Sequence, residues 1–184
     1  MRRESLSHIL PIGSTMPEFL LPSVSGKMVN SAELNGEAFL VLFMCNHCPY
    51  VVGSIRRVNE TIRKWQPKGL VAIGINSNDP TKYPQDSFEN MKDFAQNFEL
   101  CFEYCFDESQ DVARAFDAMC TPEAYLFDKN RKLVYHGGVV DNPMHRELVK
   151  VDYLDQVLSS YYSNNLSSLD TSNWKAEGCS IKWK

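Results

Sequence analysis

The sequence predicts an α/β fold, a central mixed sheet flanked by helices, with an N-terminal β-hairpin and a C-terminal extension. Three observations carry this. Two short apolar runs, Phe39 to Met44 and Leu70 to Ile75, have the pattern of strands buried on both faces. Between them Val51, Ile55, Val58 and Ile62 recur at helical spacing, with Arg56, Arg57, Glu60 and Arg63 on the polar side. Strand, helix and strand in that order make a right-handed crossover between parallel strands.

The remaining elements follow from local signals. Residues 1–16 read as a surface lead-in, and Met16-Pro17 starts an extended segment. Phe19 to Val24 and Lys27 to Val29 form an edge hairpin with Gly26 in the turn. Asn30 or Ser31 can cap a short helical turn ahead of Asn35-Gly36. The helix after Met44 ends near Trp65, because Pro67 and Gly69 cannot continue it. Asn76 to Pro84 is a polar loop at the carboxyl end of the second strand, the end that faces the functional crevice in open α/β sheets. Ser87 caps a helix with the stripe Phe88, Met91, Phe94, Ala95 and Phe98. Leu100 to Phe106 alternates well enough for a half-exposed strand, and Val112 to Met119 reads as a short helix. Ala124 to Phe127, a turn at Asp128 to Arg131, and Leu133 to His136 form a hairpin stopped by Gly137-Gly138. A polar loop over 141–150 leads into a closing amphipathic helix, Val151 to Tyr162. No repeat or linker divides the chain, so 1–184 is one domain with 163–184 as its C-terminal tail.

Composition narrows the function. With 43% hydrophobic and 23% charged residues the chain is neither disordered nor fibrous. A net charge of −4 gives no reason to expect nucleic acid or an anionic membrane as partner. Six cysteines in 184 residues are too few for a disulfide-built scaffold. The N-terminus has two arginines but no apolar core, so it reads as neither a signal peptide nor a membrane span, and the expected compartment is the cytoplasm.

The chemistry centres on Cys45-Asn46-His47-Cys48, at the handover from buried strand to helix. A thiolate is the nucleophile in disulfide exchange, and a helix N-terminus stabilises one. The two intervening residues let the second thiol reach the first and close a disulfide. Cys-x2-Cys is also zinc spacing, for which Cys101-x3-Cys105 is the second pair at hand. Two buried cysteines acting as small hydrophobes are the remaining alternative.

The order of elements, with Thr121-Pro122 before an antiparallel hairpin and a final helix, resembles the thioredoxin-like superfamily. Cys45-Asn-His-Cys48-Pro49-Tyr-Val, Cys120-Thr-Pro-Glu-Ala-Tyr-Leu-Phe-Asp128 and Gly178-Cys-Ser-Ile-Lys-Trp183 resemble its redoxin branch, related to the alkyl hydroperoxide reductases, and in particular peroxiredoxin-like proteins with a Cys-x-x-Cys pair. The resemblance implies a thioredoxin-like fold, a redox pair at Cys45 and Cys48, and a cis Thr121–Pro122 bond facing it. Thr121 would then offer free backbone groups to a bound peptide.

True peroxiredoxins place a Thr or Ser three residues before the peroxidatic cysteine and a Pro seven before it. Counting from Cys48 those positions are Cys45 and Val41, so a thiol replaces the hydroxyl. The expected activity is therefore thiol–disulfide exchange, with thiol peroxidase chemistry at Cys48, an antioxidant role, as the alternative. Cys45 is the expected attacking thiol at an exposed helix mouth and Cys48 the buried resolving one. His47 would stabilise the Cys45 thiolate and raise the potential above the roughly −270 mV of thioredoxin. Cys120, beside the proline loop, and Cys179, on a mobile-looking tail, are candidate auxiliary thiols. No metal or organic cofactor is expected. The expected partners are a protein disulfide, or a small thiol or peroxide, and an external reductant such as a thioredoxin or glutathione system. Arg114, Glu123, His136 and His145 read as surface or satisfied residues, and Trp65, Trp174 and Trp183 as packing.

Overall fold

The computed structural model describes residues 10–184; the first part of the lead-in, 1–9, lies outside them. Strands β1 (Leu20–Pro22) and β2 (Met28–Asn30) pair antiparallel as the expected hairpin, with Gly26 at φ +86° between them. Asn30 caps the following 3₁₀ turn by accepting from the Ala32 N–H at 3.0 Å. Next come β3 (Ala38–Phe43), α1 (Pro49–Trp65), β4 (Leu70–Asn76), α2 (Phe88–Asn97), β5 (Glu103–Phe106) and α3 (Asp111–Ala115). The chain finishes with β6 (Cys120–Thr121), β7 (Glu123–Asp128), β8 (Leu133–Gly137), α4 (Tyr153–Tyr162) and β9 (Cys179–Ser180).

The central sheet has the order β5-β4-β3-β7-β8. β3, β4 and β5 run parallel; β7 and β8 return antiparallel, with Val41 opposite both Ile73 and Tyr125. This is the thioredoxin-like arrangement that the sequence predicts. β3 is buried at every position because both faces of the sheet are covered. Ala38, Leu40, Leu42 and Met44 meet α1 and α4, through residues such as Val51, Ile55, Ile62, Val157 and Leu158. The alternate positions Phe39, Val41 and Phe43 join a second core with Phe116, Tyr125 and Phe127. Strand periodicity therefore deals successive side chains of one strand to two different cores.

Three expectations change. The third strand starts at Glu103, and Tyr104, Cys105 and Phe106 are buried rather than half exposed. The hairpin covers that edge: Val24 N–H donates to the Tyr104 carbonyl at 2.9 Å and Ser23 bridges Cys105. Helix α3 stops at Ala115 instead of running to Met119, because Asp117 takes a left-handed φ of +54°. The tail is tied to the body: Gly138 N–H donates to the Trp174 carbonyl (2.8 Å), and Trp174 stacks on Tyr153 with centroids 4.7 Å apart. Trp65 stacks likewise on Tyr162, so these tryptophans pack as expected. No helix of the described residues is long and apolar enough to cross a membrane.

Phe116 is fully buried with Phe43, Tyr125 and Phe127 edge-on at 5.4, 5.3 and 5.9 Å. Phe116→Ala is expected to cost about 3–5 kcal/mol of stability in a denaturant titration. A loss below ~1 kcal/mol would contradict this account of the second core.

Candidate active site

β3 ends at Phe43 and α1 begins at Pro49, so Cys45 to Cys48 fill the turn between a buried strand and a helix. Met44 N–H still donates to the Ile75 carbonyl at 2.9 Å, which carries the chain along the sheet up to Cys45. Cys48 is the N-cap of α1 and Pro49 its first residue, the position where a missing N–H is tolerated. The expected cis Thr121–Pro122 bond is present. Thr121 lies over both sulfurs: Cys45 Sγ is 3.4 Å from its Oγ1, and Cys48 Sγ is 3.2 Å from its carbonyl oxygen. The two thiols are close enough to shift each other's ionisation.

The exposed mouth expected for Cys45 is not there. Cys45 is 1% exposed and Cys48 is 0% exposed. The proton is also divided the other way. Cys45 is pushed far up, first by its hydrogen bond to Cys48, then by burial and by the nearby Asp86 carboxylate. Cys48 is held down to about 4, chiefly because the Cys45 thiol donates to it; burial opposes this, and the Cys179 side chain and the amides of Cys179 and Val51 assist. Both directions favour a negative charge on Cys48 over one on Cys45, and Cys48 stands at a helix N-terminus that favours an anion.

Asp86, which no pattern in the sequence singles out, organises this turn. It is fully buried. Oδ1 accepts from the N–H groups of Asn46 (2.8 Å) and His47 (3.3 Å), and Oδ2 accepts from Asn78 Nδ2 (2.7 Å). His47 Nδ1 stands 2.6 Å from Oδ2, and its ring lies flat against Tyr83. His47 thus faces Asp86, whose charge opposes a thiolate at Cys45. Asn46 is fixed further by the Tyr104 hydroxyl, which donates to its Oδ1 at 2.9 Å. The only sequence signal for Asp86 is its place just beyond the polar loop at the carboxyl end of β4.

Cys45 Sγ, a His47 ring nitrogen and an Asp86 oxygen lie within 4.8 Å of one another, a donor set that suits an ion accepting sulfur, nitrogen and oxygen. Cys101 and Cys105, the second pair of the zinc alternative, are outside that group. Cys101 turns its N–H and sulfur to Asn59, and Cys105 is buried beside Ser23.

The Thr121 loop has its own brace. Glu123 Oε2 accepts from the N–H groups of Met119 (2.7 Å) and Cys120 (3.2 Å), while Oε1 meets His136 Nε2 at 2.6 Å. His136 in turn stacks on Tyr125. These two residues, which the sequence leaves without partners, hold the loop over the thiols. Cys120 is pushed up to about 12 by burial and by Glu123. Thr121 is not free to pair with an incoming peptide, because Cys179 already lies opposite it. A groove of about 810 Å³ between the N-terminal hairpin and the β4–β5 edge contains none of these residues, so the thiols lie under protein rather than in that groove.

In reduced protein the thiolate ultraviolet absorbance is expected to appear in a step near pH 4. Cys48→Ser should remove the step, and Cys45→Ala should raise it by removing the foremost donor. A step that survives in Cys48→Ser would assign the charge to Cys45. The stability follows in sign. Cys48 titrates below its unfolded value of about 8.5, so its contribution is complete above that pH and is lost as the pH falls toward 4. Cys45, raised, opposes it only above about pH 8.5.

Comparison with known proteins agrees with this geometry. The model of the AhpC/TSA family matches residues 12–136, from the lead-in into β8. The thiol-disulfide oxidoreductase ResA of Geobacillus thermodenitrificans is 25% identical over 139 residues, 76% of this chain and 74% of that protein. The chloroplastic peroxiredoxin Q of Sedum lineare is 24% identical over 166 residues, 86% of this chain and 81% of its own. The crystal structure of an uncharacterized conserved protein from Geobacillus kaustophilus superposes with a TM-score of 0.82 at 35% identity, covering 96% of this chain and 94% of that one. With a family match over most of its length and a thioredoxin-like sheet that sets Cys45 and Cys48 beneath Thr121, the chain belongs to the AhpC/TSA family.

Proposed function

We propose that this chain is a thiol–disulfide oxidoreductase acting on protein disulfides through Cys45 and Cys48. The observation that carries the reading is the Cys45–Cys48 pair at the start of α1, with both sulfurs against Thr121 and its cis bond to Pro122. The Cys48 thiolate attacks one sulfur of a substrate disulfide and expels the other as a thiolate. Cys45 then passes its proton on and attacks Cys48, releasing the second substrate sulfur and leaving a Cys45–Cys48 disulfide. An oxidised pair runs the same steps in reverse. Exchange of this kind is also the activity that the name of the ResA relative states. The cycle needs an external two-electron reductant, for which a thioredoxin dithiol or two molecules of glutathione in the cytoplasm are the proposed source; the modest cysteine content supports that compartment.

Peroxide reduction is the second reading, favoured by one observation: the charged sulfur is Cys48, which precedes Pro49, and a peroxiredoxin is among the relatives. Against it, the one hydroxyl found at the pair, Thr121 Oγ1, contacts Cys45.

A thiolate held low stabilises the reduced form, so the potential should lie above the roughly −270 mV of thioredoxin. Equilibration with dithiothreitol buffers measures this, with the Cys45–Cys48 bond identified by mass spectrometry. Cys48→Ser should slow catalysed protein-disulfide reduction by at least about 100-fold. Wild-type protein with no two-electron couple, or a Cys48→Ser variant that turns over normally, would defeat the proposal. A rate with hydrogen peroxide exceeding that with a protein disulfide would favour the second reading.

A further inference from the structure

The end of the chain closes over the dithiol. β9 lies antiparallel to β6, with Cys179 opposite Thr121 and Ser180 opposite Cys120. A Cβ on residue 178 would fall 1.9 Å from the Thr121 carbonyl oxygen, so only glycine permits the approach. Ile181 N–H donates to the Met119 carbonyl at 3.0 Å, and its side chain is buried in the second core. Lys182 is held on both sides: its N–H donates to Asn78 Oδ1 (2.8 Å), and its carbonyl accepts from the Asp79 N–H (2.8 Å) and Gln110 Nε2 (2.9 Å). Lys184 N–H donates to Gln110 Oε1 at 3.0 Å.

An extended segment that pairs with Thr121 has its side chains beside both thiols, and strand addition is a general way to bind an extended peptide. The chain's own strand takes that position. Cys179 lies opposite Thr121, whose carbonyl oxygen is 3.2 Å from Cys48 Sγ, so a third sulfur stands where a bound peptide would present one of its own. Burial and Cys48 push this thiol up to about 11, which keeps a proton between the two sulfurs.

We propose that Cys179 is a third redox-active thiol, an internal partner that forms a reversible disulfide with Cys48, carried on a strand that an external disulfide must displace. The proposal rests on the dithiol reading above. Once β9 lifts, the Cys48 thiolate attacks the substrate disulfide; one substrate sulfur stays bonded to Cys48 and the other leaves as a thiolate. On return of β9, Cys179 gives up its proton and attacks Cys48, and the second substrate sulfur leaves. The substrate has gained two electrons and two protons, one from Cys179 and one from solvent; Cys48 and Cys179 have lost the electron pair and share an S–S bond. Cys45 then attacks Cys48 and frees Cys179, an exchange with no net change of oxidation state.

The test uses the full chain and oxidised glutathione, followed by acid quenching, alkylation and peptide mass spectrometry. Cys45→Ser should give monomer with a Cys48–Cys179 cross-link. Cys45→Ser/Cys179→Ser should instead accumulate glutathione on Cys48, at least about 10-fold above the single variant. Equal glutathione adduct in both variants, with no Cys48–Cys179 bond, overturns the assignment of Cys179. If wild-type protein forms no Cys45–Cys48 bond under the same oxidant, the dithiol reading itself fails. Gly178→Ala in the wild-type background is an independent check: with β9 displaced, Cys48 should react with an aromatic disulfide at least about 5-fold faster. An unchanged rate in a variant with native circular dichroism counts against the strand as a cover.

Discussion

Helix α1 begins inside the protein, directly after a strand buried at every position, and its first-turn amides must find an acceptor there. An oxygen from Ser, Thr, Asp or Asn usually serves. Here the N-cap is Cys48, whose side chain makes no capping hydrogen bond. A neutral thiol is a weak acceptor and a thiolate a strong one, so the helix end and the ionisation of Cys48 depend on each other. Pro49 fits the same scheme, since it presents no amide in need of a partner.

The second constraint is that the site tolerates one negative sulfur. Asp86 is a buried carboxylate that accepts two backbone N–H groups from the turn holding both cysteines, so it fixes the geometry and supplies a charge at once. That charge lies nearer the Cys45 end and works against ionisation there. Thr121 acts the other way, since its hydroxyl favours a thiolate at Cys45 while its carbonyl oxygen faces Cys48. Position relative to the helix, and not exposure, separates the two thiols; burial acts on both.

These terms explain what the sequence reveals. Strands β3, β4 and β7, helices α1, α2 and α4, the hairpin turn at Gly26 and the cis bond at Pro122 all leave local marks: apolar periodicity, a capping residue, a glycine or a proline. The dithiol is legible for the same reason, since its strand–Cys-x-x-Cys–helix context is contiguous. Asp86 meets Asn46 across 40 residues and has no periodic signature. Glu123 with His136, and β9 with β6, are likewise pairings of polar or short segments decided by tertiary placement. Which cysteine caps α1 is also not written in the pattern, because helix starts read from sequence shift by a residue or two.

The strand at the C-terminus meets two needs with one set of contacts. The β6 backbone beside the thiols is an unpaired edge unless something lies on it, and such edges invite association with other chains. β9 closes that edge and covers the sulfurs as it does so. Its attachment is weak in net terms. Each hydrogen bond contributes about 1 kcal/mol, while ordering the backbone costs about 1–2 kcal/mol per residue. The bonds of the final residues are therefore offset by the order they impose. Ile181 tips the balance, since burying such a side chain contributes about 1.5–3 kcal/mol. A segment held by one apolar anchor and a few backbone bonds opens well below the free energy of global unfolding. That suits a site whose two reactive sulfurs are otherwise sealed from any disulfide outside the molecule.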